Sequence, residues 1–219
     1  MKMTDEFTLN KIVQIVTTYK LPEGEFSPEG SWENVYARYS LKDDRIHHEA
    51  DVTIAREPNP DGTATLTVSS ARETVESYRF FVDVRMTLEA NAISSPLQWE
   101  QKSKLAKNRE EPGRSNSELS TRAVFENEIM RVTENGTQRS LGLTGPVSQR
   151  WALIDAVQRL DEDEEESFEF TWFDEMPQAY AGHRLQSLGT TTASLAGTDH
   201  RLAGWQQTGD GIAPTVYWR

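Results

Sequence analysis

The chain has 219 residues and no cysteine, and its 23 Lys and Arg against 35 Asp and Glu give a formal net charge of −12. This balance disfavours binding to nucleic acid and to anionic membrane surfaces, and the lack of cysteine excludes disulfides, thiolate metal sites and a cysteine nucleophile. A length of this order fits one β sandwich or barrel, so we expect a single domain over residues 1–219, with 1–21 as a peripheral strand or arm.

The amino-terminal segment lacks the uninterrupted apolar core of a signal peptide. No window approaches the roughly 18 apolar residues of a membrane-spanning helix, so we expect no transmembrane segment. The location is predicted to be cytoplasmic if Met1 is the native start, and the cell envelope if the chain is a mature or trimmed form. The β-branched residues of 12–16 favour a strand within this segment.

Alternating apolar and polar residues predict four long strands in the first half of the chain. The clearest run spans 78–88, where Phe80 and Met86 belong to an apolar face at even positions. Similar runs predict buried faces on three earlier strands, made of Val35, Ala37, Tyr39 and Leu41, of Ile46, His48, Ala50, Val52 and Ile54, and of Ala64, Leu66 and Val68. Short polar turns join the runs, so neighbouring strands should pair antiparallel, because parallel pairing needs a crossover of about a dozen residues.

The second half shows shorter strand patterns and one strong turn signal. Asn135-Gly136 is the dipeptide most typical of a two-residue β-hairpin. Residues 107–118 contain no apolar residue and predict a long exposed loop, with a lid over a site as the alternative. Further candidate strands are found at 96–104, 120–134, 138–143, 167–173, 183–189, 191–197 and 200–207.

Residues 147–160 break the strand pattern and predict one amphipathic helix. Trp151 and Ile154 lie on one helical line, and Ser148 is the expected N-cap. The acids of 161–166 should end the helix, because they lie at the negative end of its dipole. The predicted fold class is all-β, a strongly curved antiparallel sheet or half-barrel of about ten strands with this helix across its concave face.

Catalytic and metal-binding patterns are weak in this sequence. The acidic run 161–166 lacks the alternating geometry of a calcium loop, and the adjacent His47 and His48 leave opposite faces of a strand. No nucleophile elbow or phosphate-cradling glycine loop is found. We therefore expect no metal, no cofactor and no catalytic residue. Glu169 and Asp174, beside an aromatic strand, keep a carbohydrate-active enzyme with a carboxylate pair as an alternative.

The candidate ligand-binding residues are the large side chains on the predicted apolar faces of the strands and the helix. They are Phe80, Met86, Trp99, Trp151 and Trp172. A second aromatic group lies near the carboxyl end, where the turn-rich segment 208–214 predicts a terminal hairpin. Tyr217 and Trp218 are neighbours on one strand of that hairpin, so one of them must leave the main core.

Three segments, “SSPLQWEQKSK”, “QRWALIDAVQRL” and “GWQQTGDGIAPTVYWR”, together with the long meander and single helix, resemble uncharacterised bacterial β domains from about Trp32 onward. The sheet of those domains curls into an unclosed half-barrel, and their shape is similar to that of the lipoprotein carriers LolA and LolB. The resemblance implies a half-barrel and supplies no catalytic residue. Unlike exported carriers, this sequence shows no signal peptide and no lipobox cysteine.

Three functions follow as hypotheses. The leading one is non-catalytic binding or carrying of a small apolar, lipid-like or amphipathic ligand between sheet and helix, driven by burial of its apolar surface. The second is a packed scaffold or protein-interaction domain, in which sheet and helix leave no cavity. The third is the carbohydrate-active enzyme. An open half-barrel also leaves two edge strands unpaired, so a homo-oligomer through these edges is a further expectation.

Overall fold

The computed structural model describes residues 26–42, 45–73, 78–107, 117–161, 166–174, 178–195 and 198–219. The elements in chain order are β1 (Trp32–Lys42), β2 (Arg45–Pro58), β3 (Ala64–Glu73), β4 (Tyr78–Leu88), β5 (Pro96–Lys107), β6 (Ser117–Glu126), β7 (Ile129–Glu134), β8 (Thr137–Gly142), β9 (Val147–Ser148), α1 (Arg150–Arg159), β10 (Ser167–Phe173), β11 (Ala179–Leu195), β12 (Thr198–Thr208) and β13 (Thr215–Trp218).

The strands form two sheets. Sheet A has eight strands in the order β1 to β8, and the five-stranded sheet B has the order β13-β12-β11-β10-β9 and curls into a half-barrel. Neighbouring strands pair antiparallel, except that the two-residue β9 pairs parallel with β10. The predicted all-β antiparallel class with one helix is confirmed. The strands expected in one curved sheet are divided between these two sheets.

Sheet A buries one face, as the alternation in β4 predicts. Val84, Met86 and Leu88 are buried, while Asp83 and Arg85 are exposed. Their cross-strand neighbours are in the same phase, since Met86 pairs with Leu66 on β3 and with Trp99 on β5. Period-2 alternation therefore predicts the core face correctly for Ala50, Val52 and Ile54 of β2 and for β3 and β4. It is wrong for His48, which is exposed beyond the register shift between Arg38 and Tyr39, and the side chain of Ile46 lies outside the described residues.

The face predicted for β1 is wrong. Val35 is 65% exposed and Tyr39 is 40% exposed, whereas Trp32 is buried and Tyr36 packs against the core. The buried phase contains Trp32 and Tyr36, and Trp32 lies opposite Arg56 on the inner face of β2. Trp32 is larger than any residue of the predicted phase, so burying it removes more apolar surface from water. The side chain of Leu41 lies outside the described residues.

Two hairpin turns in sheet A require left-handed backbone. Asn135 and Gly136 have φ angles of 48° and 83°, which confirms the hairpin predicted between β7 and β8. Asn127 and Glu128, between β6 and β7, also have positive φ angles, 50° and 61°. Both pairs have the backbone signs of the tight turn that matches strand twist, so they set the register of these strands.

Strand β11 merges two predicted strands into one of 17 residues. Gly182 and Gly189 interrupt it with φ angles of 75° and 72°, and the pairing with β12 shifts between Ser187 and Gly189. A residue in this conformation bends the strand without ending it. Gly189, the last residue of the predicted strand 183–189, therefore curves β11 instead of ending it, which supports the half-barrel shape of sheet B.

The helix begins later than predicted, and its N-cap is Gln149 instead of Ser148. The side chain of Gln149 accepts a hydrogen bond from the backbone N–H of Trp151 at 3.0 Å. Ser148 is fully buried, and its hydroxyl donates to the carbonyl of Ile93 at 2.7 Å. Since Val147 and Ser148 also pair with β10, they are fixed as strand β9 and α1 starts at Arg150.

Two core clusters meet at α1. Ala152 belongs to the sheet A cluster with Met86 and Trp99, while Leu153 belongs to the sheet B cluster with Leu185 and Trp205. Strand β10 is likewise buried on both sides, because Trp172 packs in the sheet B cluster and the next residue, Phe173, packs in the sheet A cluster. The helix therefore lies where the two sheets come together.

Several expectations concern residues that the structure does not describe. They are the strand or arm in 1–21, residues 108–116 of the predicted loop, residues 162–165 of the acidic run, and the side chain of His47. Within the described part of the chain, no helix has the length and apolarity needed to cross a membrane.

Candidate functional site

A cleft of about 470 Å³ opens between α1 and the hairpin formed by β12 and β13. We call it the hairpin cleft. Its walls come from the first turns of α1, from β10 and from the terminal hairpin with its connecting turn. It is lined by Arg150, Ile154, Trp172, Gln207, Gly211, Ile212, Ala213, Thr215 and Tyr217.

Trp172 forms the floor of the hairpin cleft, and its ring stacks on a buried histidine behind it. The Trp172 ring stacks on the imidazole of His183, with ring centroids 5.7 Å apart and planes 12° from parallel. Trp172 is 4% exposed and His183 is fully buried. A Cβ at Gly209 would overlap the imidazole, so the turn after β12 presses its backbone onto His183. His183 is therefore packed between the Trp172 ring and the backbone of Gly209.

A chain of hydrogen bonds runs from this floor to the cleft wall. His183 Nε2 lies 2.9 Å from the carbonyl of Asp210, and a carbonyl only accepts, so Nε2 carries a proton. Nδ1 then accepts from the side-chain amide of Gln207 at 3.4 Å, and the Gln207 carbonyl accepts from the Tyr217 hydroxyl at 2.9 Å. This order of donors and acceptors is self-consistent for a neutral His183.

Burial is the main cause of the pKa shifts of the two titratable side chains in this series of hydrogen bonds, His183 and Tyr217. Burial lowers the pKa of His183, an effect opposed by its hydrogen bond to the Asp210 carbonyl and by the Asp210 charge. Burial raises the pKa of Tyr217 to about 12, opposed by the positive charge of Arg150. Both side chains are therefore neutral at pH 7, and the guanidinium of Arg150 lies near enough to influence the Tyr217 hydroxyl.

The five predicted ligand-binding residues are distributed over three places. Met86 and Trp99 are 0% and 1% exposed in the sheet A core, and Trp151 packs against the same cluster from α1. Phe80 lies toward the other end of β4, half-buried, with the Arg72 guanidinium 5.2 Å from its ring centroid. Trp172 lines the hairpin cleft. Of the five predicted residues, Trp172 alone therefore lines the hairpin cleft. Three belong to the sheet A core or pack against it, and Phe80 lies apart from both.

The terminal hairpin is formed as predicted, and its aromatics separate. Tyr217 pairs with Trp205 and lines the cleft, while Trp218 pairs with Gly204 and is 42% exposed on the opposite face. A Cβ at Gly204 would overlap the Trp218 ring, so this indole lies directly on the glycine backbone. Tyr217 is thus the aromatic residue that serves the cleft.

Sequence reasoning missed a buried ionic cluster that fixes α1 beside the cleft. Asp155, on α1, is 1% exposed, and its carboxylate accepts a hydrogen bond from the Ser94 hydroxyl at 2.6 Å. Arg159 Nε lies 3.3 Å from the same oxygen, and Arg159 also donates to Ser94 and to the Asn91 carbonyl. A carboxylate between the apolar residues of α1 was the available signal, because buried charges require partners.

Arg56 connects this cluster to sheet A. Its Nε is 2.8 Å from the other Asp155 oxygen, although the N–H is not directed at that oxygen, so the contact is an ion pair without a hydrogen bond. Arg56 donates to the carbonyls of Glu29 and Gly30, and the Glu29 carboxylate lies 3.6 Å from its guanidinium. Arg56 occupies an even-numbered position of β2, in phase with the buried residues of that strand. This position is the sequence signal that Arg56 is buried.

The carboxylates considered for catalysis lie elsewhere. The Glu169 side chain is 77% exposed and forms a surface ion pair with Arg184 at 3.5 Å, and the backbone N–H of Asp174 bonds to the Gln178 carbonyl. Neither residue lines the hairpin cleft. Among the residues described, no group of three or more His, Asp or Glu is close enough to hold a metal ion.

A second groove, of about 440 Å³, follows the outer face of sheet A. Small side chains form its floor, and charged residues of both signs surround it. It is lined by Glu33, Thr53, Ala55, Thr67, Val68, Ser69, Asp83, Val84, Arg85, Glu100 and Lys102. The mixture of charges and short polar side chains is typical of a solvated sheet face.

Comparison of the chain with protein-family models, with curated proteins and with solved structures finds no significant match.

Proposed function

We propose that the protein is a non-catalytic binding domain for a small apolar or amphipathic molecule, held in the hairpin cleft between sheet B and α1. The observation that supports this proposal is the cleft itself. Its volume of about 470 Å³ lies in the range of small-molecule sites, and it combines a buried indole floor with half-buried apolar walls at Ile154 and Ile212. The resemblance to lipoprotein carriers, which the sequence suggests, is part of the same proposal.

The chemistry of the lining supports binding over catalysis. The Tyr217 hydroxyl stays protonated because burial raises its pKa to about 12. Both His183 nitrogens are engaged in contacts within the protein, at 2.9 and 3.4 Å. Within the part of the chain that the structure describes, the cleft therefore offers a protonated hydroxyl and a side-chain amide as polar groups, while His183 uses both ring nitrogens inside the protein.

The driving force would be burial of the ligand's apolar surface against Trp172, Ile154 and Ile212. Transfer of each methylene from water is worth about 0.8 kcal/mol before the losses of ligand freedom are subtracted. Met86 and Trp99 are buried in the sheet A core, whereas the hairpin cleft that supports the proposal lies on the sheet B side of the helix.

Filling the cleft tests this function. Ala213 lines the cleft and is exposed, so Ala213→Trp should fold normally while occupying the ligand volume. Native mass spectrometry of the wild-type protein with added decanoate and 1-decanol should show one bound molecule, and Ala213→Trp should reduce that occupancy at least tenfold. Val216→Trp is the matched control, because Val216 lies three residues after Ala213, on the face of β13 opposite Tyr217, and is 40% exposed.

Val216→Trp should bind as the wild-type protein does. A bare wild-type mass, without uptake of any apolar or amphipathic compound, would contradict the binding function and favour a packed interaction domain. Equal loss of binding in both tryptophan variants would also contradict it, because the effect would then not depend on the cleft.

A further inference from the structure

Two hydroxyl groups of the hairpin cleft donate their protons within the protein. The Tyr217 hydroxyl donates to the side-chain carbonyl of Gln207 at 2.9 Å, and the Thr215 hydroxyl donates to the backbone carbonyl of Ala213 at 3.2 Å. All four residues line the cleft. A hydroxyl group has one proton and two lone pairs, so each of these oxygens keeps a lone pair, and no proton, for a bound molecule.

The direction of the Tyr217 hydrogen bond is set by His183. The Nε2 atom of His183 carries a proton because it lies 2.9 Å from the Asp210 carbonyl, so Nδ1 of the neutral imidazole is an acceptor. Gln207 therefore turns its NH2 group to Nδ1, at 3.4 Å, and its carbonyl to the Tyr217 hydroxyl. Burial lowers the pKa of His183, which keeps the imidazole neutral at pH 7 and the amide in this orientation.

Burial keeps this series of hydrogen bonds from reversing. Gln207 is 1% exposed, and His183 is fully buried between the Trp172 ring and the Gly209 backbone. Turning the Gln207 amide over would set its carbonyl oxygen against the Nδ1 lone pair, and two buried acceptors that face each other lose a hydrogen bond without replacement by water. The fold therefore makes the Tyr217 oxygen an acceptor toward the cleft.

We propose that the hairpin cleft selects ligands whose polar group donates a hydrogen bond, as an alcohol does, with that group at the Tyr217 oxygen and the apolar body over Trp172 and Ile212. This inference rests on the proposed function, because it names the polar group of the ligand for the same cleft. An alcohol can donate its proton to the Tyr217 lone pair. An ether has only lone pairs, so at this position its oxygen would be buried against another acceptor without a partner.

The test compares 1-decanol with its isomer methyl nonyl ether, which contains the same atoms and no hydrogen-bond donor. Isothermal titration calorimetry of the full chain at pH 7.5 gives both affinities, with the protein in the syringe because both probes are sparingly soluble. The probes differ in hydrophobicity, so each variant is compared with the wild-type protein for the same probe. Tyr217→Phe should weaken 1-decanol binding about fivefold and leave ether binding within about twofold, because one net hydrogen bond is lost.

Gln207→Met tests the direction of the hydrogen bond. It removes the carbonyl that accepts from Tyr217, so the hydroxyl proton becomes free for the cleft, and an unbranched thioether side chain takes the place of the amide. Ether binding should strengthen about fivefold, and 1-decanol binding should stay within about twofold. A purely structural role of Gln207 would instead weaken both probes together.

Tyr39→Phe is the matched control, because Tyr39 is 40% exposed on β1 of sheet A and the substitution removes the same hydroxyl group. It should leave both affinities unchanged. If both probes bind and Tyr217→Phe changes their affinities equally or not at all, the donor preference is overturned while the binding function stands. This comparison decides even if Gln207→Met does not fold. If neither probe binds to the wild-type protein, the binding function fails and this inference fails with it.

Discussion

His183 is the residue whose chemistry was least visible in the sequence. Four histidines occur in the chain, and nothing in the local pattern distinguishes His183 from the others. The distinction comes from partners distant in sequence, namely the Trp172 ring, the Gln207 amide and the Asp210 carbonyl. The positions of Gln207 and Tyr217 are easier to predict. The sequence predicts the terminal hairpin, and its alternation places both residues in phase with Trp205.

The protonation of His183 should couple protein stability to pH. Burial lowers its pKa in the folded state, so the unfolded chain binds the proton first as the pH falls below about 6.5. The stabilising contribution is complete above that value and is lost as the pH falls toward the folded-state pKa, at no more than about 1.4 kcal/mol per pH unit. Urea unfolding at several pH values between 7.5 and 5.5 measures this slope.

The comparison is between His183→Gln and His48→Gln. His183→Gln should flatten the pH dependence of the free energy of unfolding in this window, whatever its effect at pH 7.5. His48 is exposed and lies 2.8 Å from Asp51, so its replacement serves as the control for losing one histidine. An unchanged slope in His183→Gln would show that this imidazole does not titrate differently in the folded protein.

Helix α1 is positioned by charge as well as by apolar packing. Asp155 faces two arginines whose side chains are 5% and 9% exposed, one from sheet A and one from the helix itself. Asp155→Asn keeps the shape of the side chain and leaves the buried Arg56 and Arg159 with the exposed Glu29 carboxylate, at 3.6 and 3.8 Å, as their remaining described counter-charge. We expect a loss of about 3–5 kcal/mol in the free energy of unfolding, measured by urea titration.

Glu126→Gln provides the matched carboxylate-to-amide control. The ion pair of Glu126 with Arg131 has the same 2.8 Å separation as that of Asp155 with Arg56, but both of its side chains are exposed. Its loss should change stability by about 1 kcal/mol or less. A similarly small effect for Asp155→Asn would mean that the buried cluster contributes no more than a surface pair.

At the level of elements, periodicity predicted strands well and their ends and faces less well. The succession from β2 to β5 and the turn at Asn135-Gly136 followed from alternation and turn chemistry. The face of β1 did not, because both phases of that strand carry apolar residues and the choice depends on Trp32 meeting the core. The start of α1 depended on β9 pairing with β10, a tertiary contact that no local pattern records.

In the whole molecule, α1 packs against both sheets, so we expect the two sheets to unfold together. Leu153 is fully buried in the sheet B cluster and follows Ala152 of the sheet A cluster directly. Leu153→Ala should lower the free energy of unfolding by about 2–5 kcal/mol. Because the helix serves both cores, far-UV circular dichroism and tryptophan fluorescence should report the same urea midpoint, and the substitution should move both together. Two separate midpoints would contradict this coupling and divide the chain into two domains.

The order of strands in space is their order along the chain in both sheets. Each strand therefore pairs with a neighbour that is close in sequence, so loops are closed over short distances during folding. During synthesis on the ribosome, each new strand of sheet A can add to the edge formed by the strand before it, while β1 remains the opposite edge. The half-barrel and its cleft are completed last, because β12 and β13 leave the ribosome after everything they pack against.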